Sequence, residues 1–366
     1  MKKIVFLLLI CVILTACSRP EAVETGQVIQ ETEQEIVADP LPKQLIMAAV
    51  GDIMLARVVG SRIRNNSVNY PFEKTSFITS RADISFGNLE TTLATSGTRL
   101  PGKVIWFQAA PETSIGLKNA GFDVLSLANN HILDYDTPAL METIATLETL
   151  GIGYVGAGEN LEQARRPIVV VKNDVRVGFL AYNEFYNYYW SNSYKRTFEA
   201  TQDIAGTAPM KAELIEEDIK KLRNLCDILV VSLHWGIEES NKVTKEQQEL
   251  AHRIIDWGAD MILGHHPHVL QGMEFYKGKL IAYSLGNFVF DQNDENNKQS
   301  MILEIFLEDN NVKEVHAYPI YIMDKSQPQI PQNQQKKIIT KKITDLCRTF
   351  GTEGRVEDDR IIFENR

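Results

Sequence analysis

The stretch Ala259-Asp260-Met261-Ile262-Leu263-Gly264-His265-His266-Pro267-His268, continuing as Val269-Leu270-Gln271-Gly272, decides how this chain is read. Its short apolar run, Met261–Leu263, has the character of a buried strand, and it opens at a glycine into a loop with three imidazoles in four residues. Three of the chain's seven histidines are thereby crowded at one strand end. Alternate residues there can aim two ring nitrogens at one cation, so the cluster reads first as a metal site, with His265 a candidate for facing substrate or for a structural role. The competing reading is a polar loop whose histidines cap a helix or bond to backbone.

Working outward, the same arrangement recurs. Leu45–Val50 runs into Gly51-Asp52, Ile84–Phe86 into Gly87-Asn88-Leu89-Glu90, Val124–Leu127 into Asn129-Asn130-His131, and Ile228–Leu233 into His234-Trp235-Gly236. Further strands are expected at Ile168–Val171, Val175–Tyr182 and Lys279–Ser284, with helical periodicity over Thr137–Leu150, Met210–Asn224 and Lys245–Trp257. Such alternation predicts an α/β layered domain with its helices outside. A hairpin around Asp309-Asn310-Asn311, between Met301–Glu308 and Val312–Pro319, makes the sheet mixed. Sites in α/β sheets form at the carboxyl ends of strands, so these separated segments are expected to converge in one cleft.

The chain opens with Lys2 and Lys3, an apolar run Ile4–Leu14, and Leu14-Thr15-Ala16-Cys17. The run is shorter than the roughly 20 residues a membrane crossing needs, and it reads as a signal peptide over residues 1–17. The residues before Cys17 resemble a bacterial lipobox, which implies lipidation of that cysteine and a lipid-anchored protein on the extracytoplasmic face of the cell membrane. Residues 18–43, rich in Glu, Gln, Thr and Pro, read as a flexible tether. A domain over 44–323 and a C-terminal appendage over 324–366 follow. Of the four cysteines, Cys226 and Cys347 belong to the folded part, and whether they pair is open. The formal charge of −10, with no basic stripe, argues against nucleic acid as a partner.

The ordered motifs GDIML (51–55), GNLE (87–90), NNHILDYD (129–136), HWGIE (234–238), GHHPHVLQG (264–272) and YSLGNFVFDQ (283–292) resemble the bacterial poly-γ-glutamate capsule biosynthesis protein family of CapA/PgsA type. The resemblance spans about Leu45 to Met323. That family is similar to calcineurin-like metallophosphoesterases, which implies an αββα fold, a mixed two-sheet sandwich flanked by helices. It also implies a role in making, exporting or anchoring an anionic γ-linked glutamate polymer, with membrane synthase or export subunits as partners. Carried over position by position, it implies Asp52 as a carboxylate ligand, Asn88 or Glu90 as the bridging acid, Asn130 as an amide ligand, and His234, His266 and His268 as imidazole ligands. His131 takes the phosphate-contacting or acid–base position. Two departures stand out: the phosphoesterase pattern has a histidine where this chain has Met54, and a bridging aspartate where it has Asn88.

The remaining donors suit one or two borderline divalent ions such as Mn²⁺, Fe²⁺ or Zn²⁺. Asp134 is a candidate for orienting His131, whereas Asp136, before Thr137-Pro138, fits a helix N-cap. Trp235 is a candidate wall of the cleft, and Glu238 either orients His234 or lies in solvent. The aromatic-rich segment 183–197 reads as a long binding loop, in which Lys195 and Arg196 can meet an anionic substrate. Asn287 either lines the cleft or holds its turn. Two functions remain: a metal-dependent hydrolase or transferase acting on a phosphoester or a γ-glutamyl amide, or a non-catalytic accessory of a polymer synthase. An anionic polymer approaching so acidic a protein requires a locally positive cleft or a cation-bridged contact.

Overall fold

The computed structural model describes residues 43–365; Cys17 and the segments read above as signal peptide and tether, up to residue 42, lie outside the described residues. Two mixed sheets face one another. The first runs, edge to edge, through Gly354–Glu357, Arg360–Glu364, Asn311–Met323, Gln299–Glu308, Gln44–Ile53, Ile84–Leu89, Val124–Ser126 and Gly153–Val155. The second runs through Met273–Tyr276, Lys279–Ala282, Met261–His265, Ile228–His234, Val175–Asn183 and Ile168–Lys172. The first is antiparallel from Gly354–Glu357 to Gln44–Ile53 and parallel from there to its other edge at Gly153–Val155, and the second has a parallel centre with an antiparallel strand at each edge.

Period-two alternation sorts each strand's side chains into layers. In Ile228–His234, Ile228 and Val230 join the core between the sheets, packing with Met47, Phe86 and Phe179, while Leu229, Val231 and Leu233 face the helices Ala212–Arg223 and Lys245–Asp256. Phe86 and Phe179 stack across the interface with centroids 5.5 Å apart. The outer face of the first sheet is covered by Arg57–Asn65, Ser114–Asn119 and Asp136–Leu150. The chain is therefore the expected α/β sandwich of two mixed sheets flanked by helices. Asp309 and Asn310 close the predicted hairpin with φ of 47° and 65°, the left-handed pair that a two-residue turn between twisted strands requires.

The described residues 324–365 pack against the rest of the chain. Arg360–Glu364 pairs with Asn311–Met323, and Ile339, Ile343 and Cys347 of the helix Asn333–Arg348 join Ile361 and Phe363 in the inter-sheet core. The amphipathic pattern of that helix was legible; its destination was not, because the covering of a sheet end is decided by tertiary packing. Phe363→Ala is expected to cost about 3–5 kcal/mol in denaturant unfolding, whereas a dangling tail would leave stability unchanged. Cys226 and Cys347 are both free and buried, so no disulfide joins them.

An ion pair between the half-exposed Arg81 and the buried Glu304 ties into the first sheet. Glu304, at the sheet's centre, accepts two hydrogen bonds from Arg81 at 2.7 and 2.8 Å and one from Tyr318 at 3.1 Å. Burial would raise its carboxyl, but His316, Arg81 and Tyr318 together hold it at about 2. A depressed carboxyl contributes stability above its unfolded value near 4.5 and loses it as pH falls toward 2. Glu304→Gln is therefore expected to destabilise at neutral pH by on the order of 2 kcal/mol, allowing for the half-exposed Arg81, and the gap should close between pH 4.5 and 2 in urea melts.

Candidate metal centre

The carboxyl ends of the central strands place polar residues in rows. Across the first sheet, Asn287, Asp52, Asn88 and Ser126 are in-register neighbours; across the second, Asn183, His234 and His265 are. His234 shares the inward parity of Ile228 and Val230 and so faces the first sheet. Trp235 has the opposite parity. It lies fully buried among the outer helices, its Nε1–H bonded to the Tyr283 carbonyl at 3.0 Å, and does not line the cleft. His265 also departs from a substrate-facing role. Its parity turns it inward, where Nε2 meets the Val50 carbonyl of the opposite sheet at 3.2 Å.

Beyond His265 the backbone turns sharply, with φ of 93° at His266 and 57° at His268, values rarely adopted by non-glycine residues and concentrated at functional sites. Gly264 makes the close approach possible, since a Cβ there would sit 1.9 Å from the Tyr283 carbonyl oxygen. The turn brings His266 and His268 over Asp52, whose Oδ2 accepts the His266 N–H at 3.3 Å and lies 3.3 Å from His268 Nδ1. Asp52 Oδ1 accepts from the Asn88 amide at 2.8 Å. Burial works against the Asp52 charge, yet His268 and Asn88 more than offset it and its carboxyl stays below the usual range.

Glu90 is the exception in this network. Both of its carboxylate oxygens are fully buried and neither has a hydrogen-bond partner. Around Oε1 stand three imidazole Nε2 atoms, of His268 at 3.7 Å, His234 at 3.8 Å and His131 at 4.0 Å. A tetrahedral site with ligand bonds of about 2.1 Å has edges of about 3.4 Å, so the spacing is close to that of donors sharing a cation. Ligand atoms of Asp52, Glu90 and His234 all lie within 4.8 Å of one another. Between the two candidates for a bridging acid, Glu90 has free oxygens while Asn88 is spent on Asp52, His234 and Asn129. Met54 points into the apolar core, so the position that would supply another histidine supplies no nitrogen.

The remaining groups support these donors. His268 Nδ1 meets Asn287 Oδ1 at 2.8 Å, and the Asn287 amide is anchored on the carbonyls of His268 and Asn297 and on Gln292, so this residue holds the turn. His234 Nε2 and Asn130 Oδ1 lie 3.0 Å apart, paired with each other where a cation would take both. His266 has a buried Nδ1 without a partner and packs on Phe185 with centroids 4.0 Å apart. Burial pushes Glu90 well up, opposed by His268, and drives His266 down to about 3. Burial also opposes the His268 charge, but Glu90 and Asp52 raise that ring to about 10. Buried carboxyl and imidazole groups of this kind fit a divalent cation.

His131 lies beside this group on a different support. Its Nδ1 bonds Asp134 Oδ2 at 2.7 Å, its ring stacks on Phe107 at 4.0 Å, and burial lowers it to about 4. Asp134 also accepts the Phe107 N–H at 2.6 Å and pairs with Lys103, whose Nζ reaches the Asn130 carbonyl at 2.6 Å. Lys103 escaped sequence reading, because its loop has no periodicity and its partner is brought by the fold. Asp136 is no simple N-cap: at φ 61° it begins the helix, accepts the Thr137 N–H, and binds Tyr194 and Arg196. Arg196 is thereby drawn away from substrate, also giving hydrogen bonds to the Ala205 and Thr197 carbonyls. Lys195 is exposed on that loop, and Glu238 is exposed at the cleft rim.

The family model described as "Bacterial capsule synthesis protein PGA_cap" matches residues 46–292, a span holding every candidate ligand named above. The chain belongs to that family. It is 32% identical to the capsule biosynthesis protein CapA of Bacillus anthracis over 92% of this chain and 80% of that protein. It is 31% identical to the PGA biosynthesis protein CapA of Bacillus subtilis strain 168, over 86% and 81%. Among solved structures, a putative 5'-nucleotidase from Staphylococcus aureus in complex with alpha-ketoglutarate aligns at a TM-score of 0.42 and 13% identity, over 82% of this chain and 58% of that one. Within this PGA_cap chain, the divalent-metal reading rests on the buried Asp–Glu–His group itself.

Proposed function

We propose that this PGA_cap protein is a metal-dependent hydrolase or transferase of capsule-polymer synthesis, acting on a phosphoester or on a γ-glutamyl amide. The observation that carries the reading is Glu90: a buried carboxylate without hydrogen bonds, ringed by three imidazole Nε2 atoms, beside a separately supported His131. Asp52, Glu90, Asn130, His234, His266 and His268 would hold the cation. A divalent ion there supplies Lewis acidity to a phosphoryl or acyl oxygen and acidity to a water. With Asp134 Oδ2 as the acceptor of this bond, His131 carries its proton on Nδ1 and presents an Nε2 lone pair to the cleft. His131 takes a proton from the attacking water as the new bond to phosphorus or carbon forms, then returns it to the departing oxygen or nitrogen as the old bond breaks.

The second reading is a non-catalytic accessory that keeps the fold for polymer binding, and Met54 and Asn88 favour it by thinning one metal position. Among the described residues lining the cleft, the one amine or guanidinium is Lys103, and it is paired with Asp134. Contact with poly-γ-glutamate would therefore run through the bound cation. Elemental analysis of the purified chain, with turnover of p-nitrophenyl phosphate, its bis-ester and γ-glutamyl p-nitroanilide under Mn²⁺, Fe²⁺ or Zn²⁺, separates the readings. Bound metal with no turnover of any of them moves the function to the accessory. Lipid anchoring through Cys17 on the extracytoplasmic face, beside membrane synthase subunits, belongs to the same proposal; Cys17→Ser should release the protein from membranes.

A further inference from the structure

The cleft above His131 and His266 has a volume of about 580 Å³, within the range of small-molecule sites. Above a polar floor of Asn130, His131, His266 and His268, its outer wall is largely apolar. Phe185 packs on His266 at 4.0 Å between centroids, while Phe107 backs His131 at the same distance from outside the lining. Phe185 then meets Tyr188 at 5.3 Å, and the lining continues outward to Tyr189, Val104, Ile105 and Ile237. From Tyr188 onward these large side chains are 47–87% exposed. Isolated exposed apolar residues need no explanation, but a contiguous set rimming a polar floor marks a binding surface.

Two of the three loops carrying this rim are clasped. Gly102, at φ 88°, passes so close to Trp190 that a Cβ there would lie 1.7 Å from the Trp190 carbonyl oxygen. The Val104–Ile105 and Tyr188–Tyr189 parts of the rim thus form one built wall, and Ile237 faces the cleft from the loop after Ile228–His234. Its charge is equally informative. Lys103 is neutralised by Asp134, and the exposed acid at the mouth is Glu238. A poly-γ-glutamate strand laid along this wall would desolvate a carboxylate at every residue without a cation to meet it.

We propose that this cleft accepts a phosphoester bearing an apolar chain, its phosphoryl group at the floor beside Glu90 and His131 and its chain along the wall of Val104, Ile105, Tyr188, Tyr189 and Ile237. This rests on the metal-dependent reading above for the floor and adds the substrate class. Hydrocarbon burial contributes about 0.8 kcal/mol per methylene when complete, and the tyrosines present apolar ring faces with wet hydroxyls, as an amphiphile's boundary requires.

The test is calorimetric titration of the Mn²⁺-loaded full chain with methylphosphonate and n-octylphosphonate, neither of which is cleaved. The octyl compound is expected to bind at least roughly tenfold tighter. In a Tyr188→Ser/Tyr189→Ser variant, and separately in Ile105→Ser, that preference should fall to about threefold or less while methylphosphonate affinity is unchanged; exposed rim positions leave the fold intact. Equal affinity for the two phosphonates overturns the proposal, as does a γ-linked glutamate decamer whose binding is lost in the rim variants while chain length has no effect. The two readings fail separately. Chain-length preference without turnover of any phosphoester or of γ-glutamyl p-nitroanilide leaves the rim assignment standing and removes the hydrolase; turnover of p-nitrophenyl phosphate without chain-length preference does the reverse.

Discussion

Glu90→Gln is expected to empty the metal centre and, in chelator, to leave the protein more stable than its parent. The substitution keeps the shape of the side chain and removes the one ligand-type carboxylate whose oxygens nothing else satisfies. A neutral amide cannot serve as the anionic donor, and loss of even a ligand's supporting partner lowers metal affinity about 10–100-fold. Without metal, the parent buries a group that ionises only at a desolvation cost, and a neutral amide of the same shape, itself still unpaired, should return about 1 kcal/mol of it. With metal at about a thousand times its dissociation constant, the parent gains on the order of 4 kcal/mol and the variant gains nothing, so the order of the two melting curves inverts. Calorimetry with and without Mn²⁺, beside elemental analysis, reads both halves. A variant that keeps stoichiometric metal would show that the three imidazoles and Asp52 suffice, and Glu90 would then not be a required ligand.

Asp134→Asn should cut turnover about 10²- to 10⁴-fold while metal content stays at the parental level. The parent carboxylate accepts from His131, Phe107 and Lys103 together. An amide at this position can offer its N–H to His131 Nδ1, and that moves the imidazole proton to Nε2, where the lone pair is needed. His131→Ala should lose a similar factor, and the double variant should be little worse than either single one, because the two residues act as a unit. A loss confined to KM, or turnover within about threefold of the parent, would reduce Asp134 to a structural anchor for Lys103 and the Phe107 loop.

Most of the sandwich was legible because its central strands are short, apolar and punctuated by glycine or polar dipeptides, and because ligand-type residues follow five of them. Asp52, Glu90, Asn130, His131, His234, His266 and His268 do meet in one place, since strands of a parallel sheet deliver their carboxyl ends to the same edge. What the chain did not disclose is side-chain parity at the last residues of a strand. His234 and Trp235 are adjacent, yet one faces the other sheet and one the helices, while His265 turns onto the Val50 carbonyl of the opposite sheet and its neighbour His266 packs against His234 in the cleft. Residues whose role depends on a distant partner were also hidden. Arg196 is claimed by Asp136 and Lys103 by Asp134, pairings that no local pattern encodes.

The donors of the centre come from both sheets: Asp52, Glu90 and Asn130 from one, His234, His266 and His268 from the other. The His265–Val50 contact beside them spans 215 positions of sequence. A cation shared by these groups would act as a reversible covalent-like staple across most of the chain, and closing so long a loop in the unfolded ensemble is the costlier the longer it is. Its release would have to precede separation of the two sheets. Loading would therefore be felt chiefly as persistence: a slower escape from the native state, and a longer half-life among proteases, than the equilibrium gain alone would give.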